Sequence, residues 1–259
     1  MTSGELPIVF VTGGAGGIGS AICRSVLDQG WRVVVADLDG DAASALAEEL
    51  GENAFGVGVD VADQSAVAGA FTQVEEHFGV VTRLVNNAGF ADQTPFLEME
   101  QSAWTREFDV MVSGAIHCIR RALPGMSGVR GSAIVNISSV NGLGFYGHPT
   151  YSASKAALLS LTQSLAALFG HMGVRINAVA PGTVLTAVWG DGEAQIADRT
   201  RPLLDYVPLG KMAVPIDIAQ AVLFLLSDAA GQITGTTLTV DGGLTTGILP
   251  MAQSTGRSD

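Results

Sequence analysis

Cysteine is nearly missing from this chain: Cys23 and Cys118 are the two present among 259 residues. Both fall in helical patterns, so they read as reduced thiols, and neither a disulfide framework nor a cysteine metal site is expected. Basic charge is also scarce. Thirteen Lys and Arg stand against 25 Asp and Glu, a formal net charge of −12, and the basic residues do not cluster. Nucleic acid is therefore excluded as a partner, because a phosphate-binding surface needs a basic stripe. Long apolar runs are absent: the longest, such as AALLSLTQSLAALFG, are broken by Ser160, Gln163 and Ser164, so no membrane span is expected. The start, MTSGELPIVFVTGG, has no basic region ahead of its apolar run and no signal peptide is read there. These features point to the cytoplasm. No linker, charge block or fixed-period repeat divides the sequence, and one domain over residues 1–259 is expected.

What the chain does have is apolar residues, 47% of the total, and 33 glycines. Short β-branched runs alternate with longer helical patterns. Strands are predicted at 7–12, 32–37, 54–60, 83–88, 132–138, 174–180 and 237–242. Helices are predicted at 17–30, 41–50, 64–78, 102–123, 152–169 and 216–227. The strands are nearly continuous in Val and Ile, as in a parallel sheet covered on both faces. The alternation predicts an α/β fold, a single-domain, doubly wound, Rossmann-like, seven-stranded parallel sheet with helices on both faces. Ligands of such sheets sit beyond the carboxyl ends of the strands.

At the first such end lies TGGAGGIG, residues 12–19. Glycines there let the backbone approach a pyrophosphate at a helix N-terminus. Two spacings fit at once: Gly14, Gly16 and Gly19 as G-x-G-x-x-G, and Gly13, Gly17 and Gly19 as G-x-x-x-G-x-G. A tight strand-to-helix turn alone would be the plainer explanation, but the position after a strand and before a helix favours a dinucleotide. Asp37 ends the second strand and can accept hydrogen bonds from both ribose hydroxyls while repelling a 2′-phosphate. No Arg or Lys lies in the glycine turn or just after Asp37, so NAD is favoured over NADP.

In TYSASKAALL, residues 150–159, Tyr151 and Lys155 stand one helical turn apart and reach one point. A phenol with a pKa of about 10 is a poor base at neutral pH. A nearby ammonium, helped by the positive charge of oxidised nicotinamide, favours the phenolate. Lys155 would thus tune Tyr151 to take or give the proton as a hydride moves between an alcohol and the cofactor. Ser139, in NISSVNG, is placed to hold the substrate oxygen; Ser138 competes, but strand alternation turns the two in opposite directions.

Together these segments resemble the short-chain dehydrogenase/reductase family. The likeness runs along nearly the whole chain and includes TGGAGGIG, Asp60 in VDVAD, NNAG at 86–89, ISS, YSASK, PGTVLT at 181–186 and ITGTTLTVDGG at 233–243. The resemblance implies that Tyr151 is the general acid/base, that Lys155 tunes it and binds the nicotinamide ribose, and that Ser139 positions the substrate oxygen. It further implies a cofactor site of Gly13, Gly16, Gly17, Ile18, Gly19, Asp37 and Leu38. Asp60 and Val61 would contact adenine, and Asn87, Ala88 and Gly89 would line the cleft. Pro181, Gly182, Val184 and Thr186 would border the nicotinamide amide. Asn86 reads as a sheet-bracing residue. Family members are commonly tetramers or dimers built through the long helices, and a homo-oligomer is expected here.

One position departs from the family. An asparagine usual in D-V-N-L-x-G, where it is thought to hold a water that links the lysine to solvent, is Met111 in DVMVSG, 109–114. A thioether is a weak acceptor and cannot replace an amide. Trp104, Phe108, Met111 and Ala115 follow helical spacing, so Met111 also reads as part of a packed stripe. The segment 184–212 resembles the family's substrate lid, with Trp189, Leu203, Leu204 and Tyr206 as an apolar wall. Phe145, His148 and Trp189 are the substrate-pocket candidates. Arg199 and Arg201 read as surface, and the polar tail 251–259 is expected to fray.

The reading that results is an NAD-dependent oxidoreductase acting on a secondary alcohol: a polyol, sugar, alicyclic or steroid alcohol. A 3-ketoacyl-thioester reductase is the second reading within enzymes. A dinucleotide-binding regulator with little turnover is the reading outside them, and Met111 is the feature that supports it.

Overall fold

The computed structural model describes residues 6–186 and 193–247, apart from the side chains of 193–197. Seven strands form one parallel sheet: β1 (Ile8–Thr12), β2 (Arg32–Asp37), β3 (Ala54–Gly58), β4 (Arg83–Asn86), β5 (Ala133–Ile137), β6 (Arg175–Pro181) and β7 (Thr237–Val240). Their order is β3-β2-β1-β4-β5-β6-β7, with the reversal in strand order between β1 and β4. The helices are α1 (Gly17–Asp28), α2 (Gly40–Leu50), α3 (Gln64–His77), α4 (Gln101–Phe108), α5 (Gly114–Met126), α6 (Pro149–Phe169), α7 (Glu193–Leu204) and α8 (Pro215–Leu226).

Alternate strand residues serve opposite layers, as the period of two demands. Phe10, Val34, Leu84, Ile134 and Ile176 pack on one face with residues of α3, α5 and α6. Val9, Val11, Val33, Val35, Val85 and Val135 pack on the other with α1, α2 and α8. Both faces are covered, so the strands read as continuous Val and Ile. A polar brace crosses the sheet into α6. Asn86 Nδ2 donates to Asn136 Oδ1 at 2.8 Å, and Asn136 Nδ2 donates to Thr162 Oγ1 at 2.9 Å. Asn86 is thus a bracing residue, as its sequence context suggests.

The predicted helix 102–123 is not continuous. A π-helical turn, Asp109–Ser113, lies between α4 and α5. The widened turn changes the register that a period of 3.6 assumes, so the stripe is kept only in part. Met111 and Ala115 are buried, whereas Trp104 is 39% exposed. Turns of this kind often mark functional sites. Helix α7 falls in the 184–212 segment, where the family resemblance implies a short helix although the residues carry no single strong period. β3 and β4 each end two residues early, at Gly58 and Asn86, where the chain leaves the sheet to line the cleft.

Candidate active site

Beyond the carboxyl ends of the strands lies a cleft of about 640 Å³. Its floor at one end is the glycine turn. Gly13 has φ +61°, and a Cβ there would lie 3.0 Å from Ala88 Cα and Asn87 Nδ2. A Cβ on Gly14 would stand 3.0 Å from Val35 Cγ1, one on Gly17 would stand 3.0 Å from Thr186 Cγ2, and one on Gly19 would overlap the Gly13 carbonyl. The fold itself therefore requires Gly13 and Gly19, and leaves a side chain little room at Gly14 and Gly17. Gly16 differs: its Cβ would meet nothing nearer than 3.4 Å. It is the N-cap of α1, without a side-chain cap, and no acidic residue stands in the first turn. A side chain at Gly16 would fill open space above free amide N–H groups, which is the cradle a diphosphate needs.

Asp37 Oδ2 accepts from the Ala15 N–H at 3.0 Å, and Oδ1 accepts from the Asp39 N–H at 3.2 Å. Asp37 thus also pins the glycine turn to β2, and each oxygen keeps a further lone pair for a ribose hydroxyl. Ile18, Leu38, Asp60 and Val61 line the same end. Asp60 carries a partner that sequence reading missed: Arg106 Nη2 donates to its Oδ2 at 2.9 Å, and Ala62 N–H to its Oδ1 at 3.0 Å. Burial opposes ionisation of Asp60, but the Arg106 bond and the backbone N–H together hold its carboxyl below the usual range. Arg106 lies 46 residues from Asp60 in sequence, and no local signal joins them.

Along the centre, the Thr12 hydroxyl accepts from the N–H groups of Asn87 and Ala88 at 2.9 and 3.0 Å, and Asn87 Nδ2 donates to the carbonyls of Thr12 and Gly13. Asn87, Ala88 and Gly89 line the cleft, with Asn87 also bracing the turn. Pro181, Gly182, Val184 and Thr186 line the far side, where a Cβ on Gly182 would press on Asp241.

The residues expected to act in acid/base chemistry come from α6 and the stretch after β5, with Met111 of the π-turn packed against Tyr151. Ser139, Tyr151 and Lys155 all line the cleft. Lys155 Nζ donates to the Ile137 carbonyl at 2.8 Å and lies 5.5 Å from the Tyr151 ring centre. Ser138 Oγ donates to the Lys155 carbonyl at 2.9 Å, which leaves Ser139 as the hydroxyl toward Tyr151. Asn141, missed in the sequence, orients that hydroxyl: its N–H donates to Ser139 Oγ at 3.2 Å, while its Nδ2 holds the Gly147 carbonyl and the Ser152 hydroxyl. Burial pushes the Lys155 ammonium down to about 8. Burial pushes the Tyr151 phenol up, with the Ser139 hydrogen bond acting against it and the Glu107 charge with it. The expected lowering of the phenol is therefore not produced by the protein alone, because desolvation outweighs the neighbours.

Met111 lies beneath this group. A Cβ on Gly89 would stand 3.2 Å from its Sδ and 3.4 Å from Lys155 Nζ, and Ser154 Oγ reaches Met111 Sδ at 3.6 Å. Met111, Ala115 and Leu158 form a small apolar cluster on which Tyr151 packs. Phe145 and His148 do not line the cleft. Phe145 is 72% exposed, and His148 is the left-handed N-cap residue of α6, with φ 52°. Trp189 and the tail 251–259 lie outside the described residues. Phe90, Ala91 and Val110 are further lining residues on a loop and a π-turn whose path the sequence did not disclose.

A family model described as enoyl-(acyl carrier protein) reductase matches residues 13–245. A 2-(S)-hydroxypropyl-CoM dehydrogenase from Xanthobacter autotrophicus is 39% identical, over 92% of this chain and 96% of that protein. A crystal structure of a short-chain dehydrogenase/reductase family oxidoreductase from Burkholderia thailandensis aligns with a TM-score of 0.89 at 38% identity, covering 98% of both chains. Another, described as a D-mannonate oxidoreductase from Haemophilus influenza with bound NAD, aligns at 0.86 and 26% identity over 93% of this chain and 96% of that one. This chain belongs to the short-chain dehydrogenase/reductase family. It is an oxidoreductase of the kind that uses a nicotinamide dinucleotide.

Proposed function

We propose that the protein is an NAD-dependent dehydrogenase that interconverts a secondary alcohol and a ketone, with Tyr151 as general acid/base. The observation that carries this reading is the convergence of Ser139, Tyr151 and Lys155 on the cleft that also holds the glycine turn. A nicotinamide held in this cleft would supply the hydride acceptor. Gly13, Gly17 and Gly19 shape the diphosphate cradle, Gly16 leaves it open, and Asp37 receives the ribose. Ser139 orients the substrate oxygen. In the oxidative direction the alcohol proton passes to the Tyr151 phenolate, and Lys155 beside it stabilises that anion. The hydroxypropyl group in the name of the Xanthobacter relative supports a secondary alcohol, and the NAD in the Haemophilus structure supports the cofactor. Buried reduced thiols at Cys23 and Cys118 accord with the cytoplasm, and exposed Trp104 and Leu168 on α4 and α6 accord with a homo-oligomer built through these helices.

The test is reduction of NAD⁺ or NADP⁺ by a panel of polyols, sugars, alicyclic and steroid alcohols and hydroxyacyl thioesters at mildly alkaline pH. Reduction of NAD⁺ by one alcohol class supports the reading, and tighter use of NADP⁺ would remove the ribose role of Asp37. Activity confined to hydroxyacyl thioesters would instead favour the 3-ketoacyl-thioester reductase reading. Binding of NAD without turnover would favour a dinucleotide-binding regulator, with Met111 as its mark.

A further inference from the structure

Among the described residues that line the cleft, two carry positive charge: Lys155 beside Tyr151, and Arg106 beside Asp60. Lys155 has a part in the proton step, and Arg106 has none. Arg106 stands on α4, and its Nη2 donates to Asp60 Oδ2 at 2.9 Å across 46 residues of sequence. The two side chains are 41% and 35% exposed. A pair so open to water adds at most about 1 kcal/mol to stability, so holding the fold together is a poor account of it.

The strand order decides what this end of the cleft would hold. A dinucleotide with its diphosphate on the glycine turn after β1, and its reacting ring beside Tyr151, runs from the β5 side of the sheet toward β2 and β3. With the ribose at Asp37, at the end of β2, the base falls past it, at the end of β3. There Leu38, Val59 and Val61 line the cleft, the first mostly exposed and the two valines buried. They form an apolar slot suited to a flat heteroaromatic ring. Asp60, between the two valines in sequence, supplies the polar group of the slot. Its Oδ1 accepts from the Ala62 N–H and its Oδ2 from Arg106, and each oxygen keeps a further lone pair. A carboxylate accepts and cannot donate, so it matches an amino group on the base and opposes a ring carbonyl.

We propose that Arg106 is a positioning residue for the cofactor base: it holds the Asp60 carboxylate at the slot, where that group selects a 6-amino purine over a 6-oxo purine. This rests on the cleft holding a nicotinamide dinucleotide, and on nothing about the alcohol. Without Arg106, the contact that remains to Asp60 is the Ala62 N–H, two residues on in its own turn. A partly exposed carboxylate tied so locally regains rotamer freedom, and fixing it again on binding lowers the selectivity.

The test is calorimetric binding of NAD⁺ and of nicotinamide hypoxanthine dinucleotide, which carries an oxo group in place of the 6-amino group. Wild type, Arg106→Met and Arg106→Lys are compared, and no turnover is needed. Wild type binds NAD⁺ more tightly than the hypoxanthine analogue. R106M loses about threefold to tenfold in NAD⁺ affinity, the worth of one hydrogen bond, and hardly changes toward the analogue, so the ratio of the two collapses. R106K, which keeps a donor and the charge, restores part of that ratio. A folded R106M with the wild-type ratio, or with equal losses for both dinucleotides, overturns the proposal, as does a wild type indifferent to the base. If R106M does not fold, Arg106→Gln is measured in its place. The expected ratios with no turnover on any alcohol would uphold the role of Arg106 and count against the dehydrogenase reading alone. A wild type that binds neither dinucleotide would overturn both.

Discussion

At the scale of single residues, the proposed acid/base pair combines two opposed tendencies. Lys155 is buried and Tyr151 half-buried, and desolvation disfavours each charged form. Lys155 titrates near 8 when folded, below its ordinary 10.5. Between those values the unfolded chain binds the extra proton, so this residue's contribution to stability grows as pH rises from about 8 toward 10.5. Chemical denaturation of the wild type and Lys155→Met across that window checks the sign: the difference moves in favour of the wild type with rising pH. Asp37→Ala is predicted to do two things at once. It relaxes the proposed preference for NAD, read as the ratio of kcat/KM for the two cofactors. It also removes the acceptor for the Ala15 N–H, at a cost of about 1 kcal/mol in unfolding free energy.

The residues proposed for acid/base chemistry could be picked out of the sequence because their spacing is local. Tyr151 and Lys155 are set by one helical turn, and Ser139 by strand alternation. Glu107, Arg106 and Asn141 were not. Each meets a partner brought near by the fold, and none stands in a pattern that periodicity detects.

At the scale of elements, the glycine turn and the π-turn decide the site. Gly19→Ala is predicted to abolish dinucleotide binding by calorimetry, because its Cβ would overlap the Gly13 carbonyl. Gly16→Ala keeps the fold and weakens binding, because its Cβ meets open space in the protein and the ligand in the complex. Comparable loss of stability in the two variants would contradict this division. The strands and most helices could be predicted, since two-sided burial writes Val and Ile into every strand. The π-turn at Asp109–Ser113 could not, because one inserted residue in a helix leaves no mark on composition. It places Met111 under Gly89 and Lys155, where the family commonly has an amide.

For the whole molecule, the sheet order reverses between β1 and β4, and the cleft opens there, as the doubly wound pattern requires. The acidic surface implied by a net charge of −12 suits a small-molecule enzyme and not a phosphate-backbone binder. Assembly through α4, α5 and α6 predicts a dimer or tetramer by light scattering, and Leu168→Glu, at a residue 59% exposed in the single chain, shifts it toward monomer. A monomeric wild type would refute that assembly.

The central claim is that Tyr151 carries the proton in NAD-linked oxidation of a secondary alcohol. Its most direct test is Tyr151→Phe against wild type, with NAD⁺ affinity and NAD⁺ reduction by the best alcohol measured on the same samples. The account predicts unchanged affinity and a fall in turnover of about 10²-fold to 10⁴-fold. Turnover that survives the loss of the phenol hydroxyl would contradict it.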